Sequence, residues 1–261
     1  MRTIQLTLVS LLVSAAADAG VVLKVDSKDS TGKVVRSEVY YAQDGMLRVD
    51  SVDPKGNLKD SDIVRDGAIW RVDRHSRTFT RVDKDSMQQM MGANSKQMED
   101  LIAQLPPEKR AMMQQRMAQM QQRAGTTQYT FNDTGRSDHS GSYSCRIWTA
   151  LRDGKPHAEY CVVPWGSLPA GGELEASMRK SLGTVDQILA GVPTLAPQAE
   201  RMSRLGKLGG FPVHSYTLSA SGARENESVL SSAESQALPA DKFAIPQGFT
   251  EKSLGRGDDE G

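Results

Sequence analysis

The stretch that decides the fold is Gln43-Asp44-Gly45-Met46-Leu47-Arg48-Val49-Asp50. Asp-Gly is a strong signal for a tight hairpin turn, because both residues tolerate the positive φ angles that such a turn needs. From Leu47 onward, apolar and charged side chains alternate, which is the period of a β-strand with one buried and one solvent-exposed face. We therefore predict a β-hairpin whose charged side chains face solvent.

The same pattern extends in both directions along the chain, from Gly20 to about Val82. A second turn signal, Asp66-Gly67, leads into Ala68-Ile69-Trp70-Arg71-Val72-Asp73. Short strands joined by tight turns predict an antiparallel meander. Further strands are predicted around Tyr129 and in a final strand pair that ends near Pro246.

Helical spacing replaces the strand pattern after Asp85, where Ser86 and Gln89 resemble a capping box. Eight methionines lie between Met87 and Met120, and Pro106-Pro107 divides them into two helices. Residues 85–124 are therefore predicted to form a Met-rich helical hairpin inserted between strands. A third amphipathic helix is predicted from about Glu173 to Ala190, and its apolar stripe comprises Leu174, Met178, Leu182, Val185 and Leu189.

The first nineteen residues have the order of parts found in a secretory signal peptide. Arg2 supplies the positive charge, residues 6–13 form a short apolar run, and Ala17-Asp18-Ala19 resembles a cleavage site. We predict cleavage before Gly20 and a periplasmic or secreted protein, although a buried N-terminal strand would also be apolar. The mature chain is then a single domain over residues 20–254, followed by a disordered tail at 255–261.

Export gives the two cysteines a structural meaning. Cys145 and Cys161 flank a hairpin signal at Asp153-Gly154. Paired cysteines in an oxidising compartment usually form a disulfide, and closing this loop stabilises the fold by about 3 kcal/mol in the chain-entropy model. A metal or redox pair is the alternative, but the spacing is far from CxxC and no His lies at a ligand-like offset.

Composition excludes several classes of function. Lys+Arg and Asp+Glu are balanced at 32 each, so no overall basic field favours nucleic acid. The mean hydropathy of −0.47 and a single short apolar run exclude a multi-span membrane protein. No nucleophile–base set, zinc motif or nucleotide-binding loop is present, so we predict a non-enzymatic protein without cofactor or metal.

The order of elements resembles the domain of unknown function 4412 family of exported bacterial proteins, which are similar in fold to periplasmic lipoprotein carriers of the LolA kind. The resemblance is carried by residues 44–50, 68–73, 105–110, 210–213 and 243–249 together with the cysteine hairpin. It implies an α+β fold, a curved antiparallel half-barrel with helices on its concave face. It implies no activity, and the long Met-rich insert departs from the carrier pattern.

These observations favour a protein that binds a lipid, an acyl chain or a lipidated partner in an apolar cavity. The predicted lining residues are Trp70, Phe79, Met91, Met98, Leu101, Leu182 and Leu189. One alternative is a Cu(I) site, because Met113, Met117 and Met120 share a helical face and thioethers are soft ligands. Another alternative is an envelope interaction module. The second helix also carries Lys109, Arg110, Arg116 and Arg123, predicted opposite its Met face, so any membrane contact is expected to be peripheral.

Overall fold

The structure, a computed structural model, describes residues 19–124, 128–190, 206 and 208–255. The predicted signal peptide lies outside this range except for Ala19, and so does the predicted tail except for Gly255. The strands are β1 Gly20–Lys28, β2 Val34–Gln43, β3 Met46–Val52, β4 Leu58–Arg65, β5 Ala68–Asp73, β6 Thr78–Val82, β7 Tyr129–Ser140, β8 Tyr143–Arg152, β9 Lys155–Pro164, β10 Gly210–Leu218, β11 Arg224–Gln236 and β12 Thr250–Glu251. The helices are α1 Lys84–Ala103, α2 Pro107–Ala124 and α3 Gly171–Leu189, with short 3-10 turns at Trp165–Ser167 and Ala240–Phe243.

The described strands form one open, curved sheet made of two meanders lying side by side. Its order is β12-β6-β5-β4-β3-β2-β1-β11-β10-β9-β8-β7. The central join pairs β1 with β11, and every pairing is antiparallel except the short one between β12 and β6. The antiparallel meander predicted for residues 20–82 is confirmed as β1 to β6.

The Asp-Gly pairs form hairpin turns as predicted. Asp44 and Gly45 have φ values of 55° and 69°, and Asp66 and Gly67 have values of 52° and 71°. Two successive positive φ angles are typical of the type I′ turn, whose twist matches that of the flanking strands. The third pair, Asp153-Gly154 between β8 and β9, also has two successive positive φ angles.

The cysteine hairpin is confirmed. Cys145 and Cys161 form a disulfide with a Cα–Cα distance of 5.3 Å. Both are buried in the main core cluster, which continues across the join through Val21, Leu23 and Val213. The disulfide therefore links β8 to β9 inside the core.

Helix α3 lies across one face of the sheet and contacts β1 to β5. Its most deeply buried residues on this side are Leu174 and Ile188 and, between them, the small residues Ser177, Ser181 and Thr184. Of the predicted apolar stripe, Leu174 is fully buried and Met178 is partly buried against the same core, whereas the line of deepest contact runs through small side chains that let the helix approach the sheet closely. Met178 and Leu182 consequently lie on the flank of the helix and are half-buried.

The other face of the sheet is covered where we expected solvent. The C-terminal segment packs over β3 to β6 through Leu238 and Phe243. Beneath it, Arg48 and Asp50 have exposed fractions of only 6% and 5%. The prediction that the charged residues of the opening hairpin face solvent is therefore wrong for β3, because a distant part of the chain covers them.

The Met-rich region forms two successive helices, but neither lies across the sheet as α3 does. The first is capped by Asp83, whose carboxylate accepts the Ser86 N–H at 2.8 Å while its own N–H donates to Ser86 Oγ at 2.9 Å. The capping box therefore begins at Asp83 and not at Ser86. Helix α1 contacts α3 and β6, and α2 packs mainly against α1. The prediction that the helices lie on a face of the sheet is therefore correct for α3 and wrong for α2.

Candidate functional site

A cavity of about 250 Å³ lies between the flank of α3 and the sheet. A larger, open cleft of about 570 Å³ on the opposite face is lined by charged residues, including Arg48, Asp241 and Lys242. Small-molecule pockets are predominantly apolar with a few placed polar groups, so we regard the smaller cavity as the candidate site. Its walls include Val25, Glu38, Tyr40, Trp165, Met178, Arg179, Leu182, Leu208, Phe211, Ser215 and Ser228.

The register of the sheet explains why the cavity opens at this position. Leu23 pairs with Tyr40, and Val25 pairs with Glu38, so these side chains lie on the α3 face in neighbouring rows. Leu23 is fully buried, whereas Val25 is half-buried. In the next row, Ser27 pairs with Ser228. The face therefore changes from apolar to polar along the strands, and the cavity lies at this boundary.

Three aromatic rings form the rigid part of the wall. Tyr40 and Phe211 meet edge to face with their centroids 6.3 Å apart, and Trp165 lies 6.2 Å from Phe211. Packing of this kind adds about 0.5–1.5 kcal/mol per pair beyond the burial of apolar area. The indole Nε1 of Trp165 is buried and has no hydrogen-bond partner among the described residues. This N–H group could therefore donate a hydrogen bond to a polar group of a bound molecule.

The charged groups at the cavity are already paired. The Tyr40 hydroxyl donates to Glu38 Oε2 at 2.6 Å, and the other carboxylate oxygen pairs with Arg36. Burial, followed by the negative charge of Glu38, raises the pKa of Tyr40 well above its ordinary value, so its phenol stays protonated. Arg179 pairs with Glu175 at 2.7 Å and is largely exposed. The cavity thus offers an apolar interior with polar groups at its edge.

The structure separates the seven residues predicted to line a ligand site. Leu182 alone contributes to the cavity. Trp70 and Phe79 lie on the opposite face with their ring centroids 5.9 Å apart. Leu189 is half-buried at the end of α3, and α1 carries the other three: Met91 near Met87, and the exposed Met98 and Leu101. Ligand contacts at the six residues outside the cavity remain a prediction.

Sequence reasoning did not identify Tyr40, Trp165 or Phe211 as wall residues. Tyr40 alternates with Ala42, and Phe211 alternates with Val213, which does predict that each ring faces the core. The contact between these rings depends on the join between β1 and β11. That join pairs residues more than 200 positions apart in the sequence, and local periodicity does not encode it.

The Met-rich helices contribute no wall residue among those described. Met113 is 40% exposed on α2, and Met117 lies in the cleft between α1 and α2. The side chain of Met120 is outside the described residues. Within the described ranges, no group of three or more His, Cys, Asp or Glu side chains is placed to hold a metal ion. A Cu(I) site on the methionines remains a prediction.

No protein-family model matches the chain, and no curated protein matches it by sequence. Among solved structures, it is similar to an uncharacterized conserved protein from Thermus thermophilus, with 5% identity, 90% of each chain covered and a TM-score of 0.44. It is also similar to the MucA/MucB complex of Pseudomonas aeruginosa, with 10% identity, 89% of this chain and 57% of that chain covered, and a TM-score of 0.36. The structure of PNGF-II is similar with 10% identity, 90% of this chain and 31% of that chain covered, and a TM-score of 0.36. At these values the similarities support no statement about family or activity. Over the described ranges, no helix is long and apolar enough to cross a membrane.

Proposed function

We propose that this protein binds the acyl chain of a lipid or lipidated partner in the cavity between α3 and the sheet. The supporting observation is the wall itself, where Tyr40, Trp165, Leu182 and Phe211 converge around about 250 Å³. This volume exceeds the roughly 150 Å³ of a cavity that holds benzene and is close to the lower limit of roughly 300 Å³ for ligand pockets. It suits one short acyl segment.

The energetics set an expected dependence on chain length. Each buried methylene contributes about 0.8 kcal/mol, so a segment of roughly six methylenes contributes about 5 kcal/mol before the entropic cost of association. A chain longer than the cavity places further methylenes in solvent. Affinity should therefore rise with chain length and then level off once the cavity is full.

The cellular setting in this proposal comes from the sequence. A signal peptide cleaved before Gly20 would deliver the protein to the periplasm or the exterior, where the Cys145–Cys161 disulfide persists. The resemblance to the domain of unknown function 4412 family and to LolA-like carriers belongs to the same proposal. In this account the protein is a non-enzymatic carrier or interaction protein.

A single substitution on α3 tests the site. Leu182→Trp fills the cavity, whereas Leu189→Trp adds the same bulk to the same helix outside it. Titration with a fluorescent fatty acid should show saturable binding to the wild type and to Leu189→Trp. Binding to Leu182→Trp should be reduced at least tenfold.

Circular dichroism and thermal unfolding establish that both variants are folded. If the wild type takes up no probe across a series of chain lengths, the proposal fails. It fails equally if both tryptophan variants lose binding to the same extent, because the probe would then occupy another surface.

A further inference from the structure

Exposed apolar side chains are concentrated on α1 and α2. Five large hydrophobic residues of the described chain are exposed, and four of them are on these helices: Met98, Leu101, Met112 and Met113, with exposed fractions of 43%, 54%, 67% and 40%. The fifth, Val35, lies apart from them on β2. Single exposed apolar residues are ordinary, but several on two neighbouring helices indicate an interaction surface.

The exposed methionines of α2 share a face with basic residues. Lys109, Met112, Met113 and Arg116 are three or four positions apart, so they are neighbours on the helix surface. All four are exposed. The prediction that the basic residues lie opposite the methionines is therefore wrong for Lys109 and Arg116. We call these four residues the outer face of α2.

The other side of α2 is occupied by α1. Arg110, Gln114 and Met117 line the cleft between the two helices. The Arg110 guanidinium donates to the carbonyl oxygens of Ala103 at 2.8 Å and Leu105 at 3.2 Å, at the C-terminal end of α1. Arg110 is therefore used within the fold, and these contacts hold α2 with its outer face turned away from α1.

Local charge distinguishes α2 from the rest of the chain. Residues 107–124 include four basic residues and one acidic residue, whereas the whole protein has a net charge of zero. Basic residues interleaved with apolar ones on an exposed helix suit the interface of an anionic bilayer, where the charges meet lipid headgroups and the apolar groups enter the acyl boundary.

We propose that the outer face of α2 docks the protein on an anionic lipid surface. The surface is separate from the cavity on α3, so it does not depend on the function proposed there. Co-sedimentation with vesicles of phosphatidylcholine, with and without phosphatidylglycerol, tests it on the full chain. Binding should require phosphatidylglycerol and should weaken as salt is raised, because exposed charges are screened.

Paired variants locate the docking surface. Lys109→Gln with Arg116→Gln should reduce partitioning at low salt at least tenfold, since each cation contributes about one kcal/mol at an anionic surface. Met112→Ser with Met113→Ser should also weaken binding by removing the inserted groups. Lys33→Gln with Lys55→Gln removes the same charge from exposed turns elsewhere and should leave binding unchanged.

Three results would overturn the proposal. The first is equal binding of the wild type to neutral and anionic vesicles. The second is an equal loss in the control pair and the Lys109/Arg116 pair. The third is a dimer, measured by sedimentation velocity, that dissociates in the Met112/Met113 variant, because a second copy of the chain would then cover this face. The salt and lipid dependence of the wild type decides the question even if a variant fails to fold.

Discussion

Removing Asp50 should destabilise this protein far more than removing an exposed carboxylate in a similar ion pair. Arg48 Nε donates to Asp50 Oδ1 at 2.6 Å, and both side chains are 7% exposed. The guanidinium also donates to the Lys242 carbonyl at 2.8 Å and to Ser61 Oγ at 3.0 Å. Asp50→Ala leaves a buried guanidinium without its counter-ion, which destabilises a fold by roughly 3–5 kcal/mol.

The matched control is Asp62→Ala. Asp62 pairs with Arg71 at 2.9 Å across β4 and β5, but these side chains are 42% and 67% exposed. Such pairs contribute about 0–1 kcal/mol. Urea unfolding followed by circular dichroism gives the free energy of unfolding of each variant.

A double variant separates the loss of the pair from the burial of a lone charge. Arg48→Met with Asp50→Leu removes both charges, so it should recover most of the stability that Asp50→Ala loses. If Asp50→Ala and Asp62→Ala cost the same small amount, the pair is solvated. The C-terminal segment would then not cover β3 as described.

Three further changes test the rest of the fold. Replacing both Cys145 and Cys161 by Ala should lower the free energy of unfolding by about 3 kcal/mol, measured in urea against the oxidised wild type. Leu174 of α3 is fully buried between the helix and the sheet, so Leu174→Ala should cost about 2–5 kcal/mol, and a loss below one kcal/mol would contradict the packing of that helix. Burial tends to raise the pKa of Glu159, but hydrogen bonds from two arginine side chains outweigh it and hold the pKa below its ordinary value of 4.5. The resulting stabilisation is present above that pH and is lost as the pH falls through the folded-state pKa, so Glu159→Gln should lower the melting temperature at neutral pH and have little effect in strong acid.

Much of the sheet could be predicted because its signals are local. Asp44-Gly45 and Asp66-Gly67 specify their turns through backbone geometry that few other residue pairs accept. Alternation then sets which residues of each strand share a face. The burial of Arg48 could not be predicted in this way, because the segment that covers it follows almost 200 positions later.

Helix α3 shows where hydrophobic periodicity misleads. Its strongest apolar residues predict a contact line centred on Met178 and Leu182, yet these are only partly buried, and the residues buried most deeply are Ser177 and Ser181. Small side chains favour close approach of helix and sheet, and a hydrophobicity count gives them little weight. Because the helix contacts the sheet along this line of small residues, Met178 and Leu182 lie on its flank and form part of the cavity wall. The misplaced contact line and the unrecognised site therefore have one physical cause.

The central claim is that an acyl chain occupies the cavity between α3 and the sheet. Photo-crosslinking with a fatty acid that carries a terminal diazirine, followed by mass spectrometry of the digested protein, tests this claim most directly. The account predicts adducts on peptides containing Tyr40, Leu182 and Phe211, and their loss in Leu182→Trp. Adducts confined to the Met-rich helices, or to the opposite face around Trp70 and Phe79, would contradict it.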